Sequence, residues 1–224
     1  MAVVNELNGI ICVNKPAGFT SFDVIAKMRG ILKMRRLGHG GTLDPMATGV
    51  LPVFAGSAAK ASEMLPDHDK IYVAGFKLGT VTDTQDCTGK VLSESDKPVS
   101  REELDAAAEH FKGDIMQIPP MYSAVSVNGK RLYELARQGV TIERKPRPIT
   151  VYTLDILEYD VEKREGKMKI ACSKGTYIRT LINDIGEALG CGGIMTSLER
   201  TAACGFSISD CVTLEQLQQE ADRG

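Results

Sequence analysis

The chain has 224 residues, 43% of them hydrophobic and 25% charged, with a net charge of −2 at pH 7. That is an ordinary globular composition, long enough to bury a real core, and it argues against a uniformly basic nucleic-acid coat. Six scattered cysteines without a Cys-x-x-Cys pair, beside only three histidines, exclude a zinc module and a disulfide framework and suit a reducing compartment.

Met1–Lys15 lacks a basic start followed by a long apolar run, and no segment approaches a membrane span, so a cytoplasmic protein without a leader is expected. Gly9–Val13 is a short branched apolar run closed by Pro16 and Gly18, which predicts a buried strand and a turn. Ser21 is the expected N-cap of a helix through Leu32, with Phe22, Ile25, Met28, Ile31 and Leu32 at helical spacing. Lys27, Arg29, Lys33, Arg35 and Arg36 form a basic run that suits either a phosphate backbone or a solvated helix face. Leu51–Ala55 reads as a strand, Ser57–Leu65 as a short helix, and Lys70–Thr80 as a strand with one buried face. Gly79–Gly89 is a polar loop without the acid spacing of a calcium loop.

Ser100 and Glu103 form a capping box for an acidic, solvent-facing helix over 101–112. Residues 118–127 are extended up to an Asn128-Gly129 turn, Lys130–Gln138 is helical up to Gly139, and Arg144–Pro148 is basic and extended. Together 118–148 read as a protruding arm with exposed basic residues and little apolar mass. Strands are expected at Ile149–Tyr159, Lys167–Ser173 and Ile194–Leu198. A helix over Thr176–Leu189 follows, with Arg179 one step off its apolar stripe, and Thr213 with Gln216 caps a last helix. The irregular alternation predicts an α/β (α+β) fold, a mixed and largely antiparallel sheet flanked by helices.

The densest stretch is Gly38-His39-Gly40-Gly41-Thr42-Leu43-Asp44-Pro45, followed by Ala47-Thr48-Gly49. Its glycines lack a dinucleotide register, and neither a phosphate-cradling NTPase loop nor a Gly-x-Ser-x-Gly elbow is present. Asp44, the only acid between Asp23 and Glu63, reads either as a turn residue satisfying its own backbone or as a reactive carboxylate.

These residues resemble the signature of the TruB family of tRNA pseudouridine synthases. Val13–Gly18 resembles that family's N-terminal strand and turn, and Lys70-Ile71-Tyr72 its tyrosine motif. Gly79 to Gly89 matches its Gly-x-x-Thr-Asp-Thr-x-Asp-x-x-Gly segment, Pro119 to Gly139 its arm, and Ser173–Arg179 its arginine motif. The resemblance runs over roughly 9–215 in the right order.

It implies a pseudouridine-synthase fold with an RNA-gripping arm, and isomerisation of the T-arm uridine of tRNA (position 55, in the TΨC loop) without cofactor or metal. Asp44 would be the nucleophile, at ribose C1′ or at uracil C6. Arg179 would pair with it, and Tyr72 would stack on the flipped uracil. His39, Gly40, Thr42, Lys15, Lys130, Arg131 and Tyr177 would contact the RNA. A monomer is expected, one catalytic domain over 1–224 with the arm 118–148 inserted and no C-terminal PUA-type domain after it. Ser126 stands where many relatives carry lysine. Two other readings are a tRNA-folding chaperone and a guide-RNA-dependent subunit.

Overall fold

The computed structural model describes residues 7–60, 69–127 and 129–223. They divide into two compact units, one of Met1–Tyr72 with Leu198–Gly224 and one of Val73–Ser197.

The apolar opening run forms β1 (Gly9–Lys15), and a turn at Gly18 leads to α1 (Ser21–Leu32). The cap is Thr20 rather than Ser21: Asp23 N–H donates to the Thr20 hydroxyl (3.0 Å) while Thr20 N–H donates to the Asp23 carboxylate (2.8 Å). Only the Thr20–Asp23 pair has the reciprocal spacing of a capping box, which leaves Ser21 available for another contact. A left-handed Lys33 ends the helix. The basic-to-glycine transition holds an unforeseen short strand, β2 (Leu37–His39), and β3 (Thr48–Ala55) starts earlier than its apolar run. Gly56–Lys60 is one 3-10 turn, and 61–65 of the expected short helix lie outside the described residues.

β4 (Lys70–Leu78) stops at Gly79, whose φ is +86° and whose added Cβ would lie 2.6 Å from the Ser95 carbonyl. The polar loop after it carries β5 (Thr80–Thr82), antiparallel to β6 (Val91–Glu94). α2 (Arg101–Glu109) keeps the expected capping box but is not a decoration. It buries Leu104 and Ala108, and Arg101 donates to the Ile156 carbonyl at 2.8 Å. β7 (Gly113–Gln117) leads into the arm, which contains β8 (Ser126–Val127), β9 (Lys130–Arg131) and α3 (Leu132–Arg137). Lys130 and Arg131 thus belong to a hairpin, not to the start of the helix. Then follow β10 (Arg147–Asp160), β11 (Glu165–Cys172), α4 (Ile178–Ala188), β12 (Gly193–Ala203), β13 (Phe206–Ser207) and α5 (Leu214–Asp222).

In the first unit, β1 lies antiparallel along β3, from Gly9 opposite Ala55 to Lys15 opposite Gly49. The other edge of β3 takes β2 antiparallel and, at Thr48 and Gly49, Glu199 and Arg200 of β12 in parallel. α1 covers this sheet with Val24, Ile25 and Met28, which pack with Val13, Leu51, Val53 and Leu214 into one core. Each such buried side chain contributes about 1.5–3 kcal/mol.

In the second unit the strand order is β4, β11, β10, β7, with β10 antiparallel to both β11 and β7. Gly166 of β11 permits close packing, since an added Cβ would meet the Phe76 ring at 2.7 Å. The apolar stripe of α4 (Ile178, Leu181, Ile182, Ile185) is buried as its spacing predicts. A mixed, mostly antiparallel sheet flanked by helices is the observed class.

Candidate active site

In the first unit, Asp44 lies on a loop whose backbone is tied down at nearly every turn. Leu43 N–H donates to the Ser21 hydroxyl (2.9 Å), Ala47 N–H to the Asp44 carbonyl (3.0 Å), and Gly18 N–H to the Pro45 carbonyl (2.8 Å). Leu43 and Ala47 are buried on either side, leaving Asp44 half-buried between them. Gly40 N–H donates to the Pro52 carbonyl (2.8 Å), and a Cβ there would come within 2.9 Å of the Phe54 ring. Gly49 has φ +103°, and a Cβ on it would sit 2.2 Å from the Arg200 carbonyl, so only glycine fits.

Two fully buried cations grip this loop. Lys15 is 0% exposed, and its ammonium donates to the carbonyls of Pro16 (2.9 Å), Phe19 (2.5 Å) and Pro45 (3.3 Å). This corrects the expectation that Lys15 reaches RNA: its side chain is spent on the backbone next to Asp44. Burial pushes its ammonium down to about 8, with Asp44 opposing the shift and Arg200 adding to it. Arg200, also 0% exposed, donates from Nε to the Val50 carbonyl (2.7 Å) and from Nη2 to the Gly41 carbonyl (3.4 Å). It thereby holds both ends of the Asp44 loop. The sequence reading missed it, because one basic residue in a strand carries no signal of burial.

His39 ends β2 opposite Val53, half-buried, and burial holds its imidazole below the usual histidine value against a hydrogen bond that the ring donates to the Gly41 backbone. Thr42 and Gly41 are exposed. Tyr72 is 5% exposed in β4, beside Ile71, whose carbonyl accepts from the Thr201 hydroxyl (3.3 Å).

In the second unit, Arg179 sits in the first turn of α4 and is buried rather than merely off the apolar stripe. Its Nη1 lies 3.6 Å from the Asp86 carboxylate, and its Nη2 donates to the Tyr122 carbonyl at 2.7 Å. Asp86 is itself buried and accepts at Oδ1 from the Thr84 hydroxyl (2.8 Å), Thr88 N–H (2.9 Å) and the Thr88 hydroxyl (2.6 Å). Those three donors fix the carboxylate in place beside the guanidinium. Asp86 was unmarked in the sequence because Asp83, in the same motif, looks equivalent. Asp83 instead accepts Lys90 N–H (2.8 Å) in an exposed turn.

Tyr177 is the N-cap of α4, and its side chain is half-buried. Lys130 and Arg131 are exposed on the arm hairpin, though the Arg131 guanidinium donates to the Ala124 carbonyl (2.6 Å). Among the described residues no His, Cys, Asp and Glu grouping has the makings of a metal site.

Comparison with known proteins supplies the context. The model of the TruB family pseudouridylate synthase N-terminal domain matches residues 29–178, and that of the tRNA pseudouridylate synthase B C-terminal domain matches 179–223. The tRNA pseudouridine synthase B of Clostridium kluyveri is 48% identical over 96% of this chain and 73% of its own. That of Clostridium novyi is 50% identical over 94% and 72%. Among solved structures, a chain of a Cbf5-Nop10-Gar1 complex superposes with TM-score 0.74 at 32% identity, covering 94% of this chain and 54% of that one. A chain of an H/ACA RNP bound to a substrate RNA containing 2′-deoxyuridine gives 0.70 at 30%, covering 94% and 52%. This chain therefore spans about half the length of these solved chains.

Proposed function

The chain belongs to the TruB family of pseudouridylate synthases, and we propose that it isomerises the T-arm uridine of tRNA, position 55, to pseudouridine. The observation that carries this reading is the Asp44 loop: a half-buried carboxylate on a backbone fixed by Ser21, Lys15 and Arg200. A nucleophile gains most from a scaffold that cannot move away from its target.

In the proposed reaction the uridine is extruded from the stem-loop and Asp44 attacks it as the carboxylate. The N1–C1′ bond breaks, the uracil turns, the C5–C1′ bond forms, the bond to Asp44 breaks and returns its carboxylate, and the C5 proton is lost as N1 gains one. Substrate and product are isomers, so no redox partner enters. Tyr72 is assigned to stacking and proton transfer, and Arg179 to keeping Asp44 charged. His39, with Gly40 and Thr42, is assigned to holding the opened RNA. Tyr177, Lys130 and Arg131 are assigned to RNA contact. The protein is proposed to act as a monomer in the cytoplasm; sedimentation of the purified chain tests the first of these.

The decisive experiment uses a T-arm hairpin carrying C5-tritiated uridine. Wild type should release tritium, and Asp44→Ala should release it at least about 10³-fold more slowly. A silent wild type that still binds the hairpin favours the chaperone reading instead. Full activity in Asp44→Ala overturns the nucleophile assignment.

A further inference from the structure

We infer that Gln117 is a positioning residue, the clamp through which the base of the arm fixes the first turn of α4 and with it Arg179. This inference rests on the TruB reading and adds a residue to it.

Gln117 is the last residue of β7 and only 2% exposed, an unusual burial for an uncharged amide. Both ends of its amide engage the backbone of one residue: Oε1 accepts Tyr177 N–H (2.8 Å) and Nε2 donates to the Tyr177 carbonyl (3.0 Å). Tyr177 is the N-cap of α4 and makes no side-chain cap of its own. A tyrosine at that position has no short oxygen to turn back on the helix, so the chain before α4 is held from outside. Only a carboxamide offers a donor and an acceptor at the spacing of a peptide group.

The clamp acts at a second point. Ile118 opens the arm directly after Gln117, and four residues further Tyr122 offers its carbonyl to Arg179 Nη2. The segment 117–122 therefore touches α4 on the backbone two residues before Arg179 and on the Arg179 guanidinium itself. The base of the arm is closed by Gln117 opposite Arg147, where β10 begins, and by Arg144 Nη1 donating to the Pro119 carbonyl (3.1 Å). An arm anchored there carries any displacement of its backbone to the Tyr122 carbonyl, and so to the Arg179 side chain. RNA gripped by the arm and the orientation of Arg179 are thereby coupled.

Gln117→Met keeps the volume and removes both hydrogen bonds. Gln117→Glu keeps the acceptor for Tyr177 N–H and loses the donor. In single-turnover tritium release with the T-arm hairpin, Gln117→Met should react about 10- to 100-fold more slowly with its RNA Kd within about threefold of wild type. Gln117→Glu, which turns a carboxylate oxygen onto the Tyr177 carbonyl, should react no faster than Gln117→Met. Wild-type rates in Gln117→Met overturn the inference. So does a rate loss matched by an equal loss of RNA affinity. Amide exchange at Tyr177, followed by NMR, reads the clamp without chemistry and should quicken at least about tenfold in Gln117→Met. Unchanged protection overturns the clamp even where the enzyme is active. Faster exchange beside a silent wild type leaves the clamp standing and removes the reaction instead.

Discussion

The loop that carries Asp44 and the helix turn that carries Arg179 are held in opposite ways. In the first unit, two buried cations, Lys15 and Arg200, spend their donors on main-chain carbonyls of Pro16, Phe19, Pro45, Val50 and Gly41. In the second, one buried cation meets a full carboxylate, Asp86, which three further donors hold in place. A donor-only cation on carbonyls fixes backbone and leaves the neighbouring side chain to face its substrate. A guanidinium on a carboxylate fixes the side chain itself. The first arrangement suits a nucleophile that must present itself, the second a cation that must keep one orientation.

The two anchors should therefore break differently. Asp86→Ala takes the carboxylate away from a buried guanidinium, and loss of one partner from a buried ion pair costs about 3–5 kcal/mol. Chemical denaturation should show that loss, and turnover should fall at least about 100-fold. Asp86→Asn, which keeps acceptors for the threonine donors, should lose less stability than the alanine variant. An Asp86→Ala protein as stable as wild type would mean the second anchor does not depend on the carboxylate. Arg200→Met is the next largest effect. It leaves the Val50 and Gly41 carbonyls without their donors, a cost of about 1–3 kcal/mol. Turnover should drop about tenfold or more, while Arg200→Lys, which cannot span both carbonyls, should recover only part of it.

That the pieces of both anchors lie far apart in sequence decides what could be read beforehand. The strands, the main helices and the largely antiparallel sheet follow from local periodicity, and the glycine-rich loop from its composition. Asp44 was singled out by the densest stretch of the chain, and Tyr72 and Arg179 by the motifs that resemble the family's. Arg200 was not, since its burial depends on carbonyls 150 and 159 residues away. Lys15 looked like a surface lysine, because the turn that folds the Pro16 and Phe19 carbonyls onto it is closed by Pro45, 30 residues on. α2 looked like a decoration because its apolar stripe is reduced to Leu104 and Ala108 among charged neighbours. Ser21 was given the cap, but Thr20 with Asp23 satisfies the helix end and releases Ser21 to hold Leu43.

The first anchor also has a pH signature. The Lys15 ammonium is pushed down to about 8 by burial, against Asp44 and Asp23 and together with Arg200. Raising the pH through that value removes a charge that grips the Pro45 carbonyl, so turnover should decline several-fold on the alkaline side of about pH 8. Lys15→Arg, charged throughout, should lose that limb. Stability moves the other way. The folded value lies below the ordinary 10.5, so between about 8 and 10.5 the unfolded chain binds more protons, and this group's contribution to stability rises with pH. Activity falling while the Lys15 part of stability rises would separate a loop-gripping ammonium from a merely structural one. A limb that survives in Lys15→Arg would assign the titration elsewhere.

The smallest effects belong to the arm hairpin, and they split by the same distinction between a cation engaged with backbone and one that is not. Lys130 is exposed and belongs to neither anchor. If it meets a phosphate, Lys130→Ala should weaken RNA binding a few-fold and reduce the slope of log K against log salt by about 0.7–0.9. Arg131 is exposed as well, but its guanidinium donates to the Ala124 carbonyl and closes the hairpin. Arg131→Ala should therefore weaken binding by loosening the hairpin, with little change in the salt slope. Equal slopes lost in both variants would mean that Arg131 exchanges its carbonyl for a phosphate on binding. A cation held by its own backbone in the free protein would then be a reserve of charge released by RNA, unlike either Lys15 or Arg179.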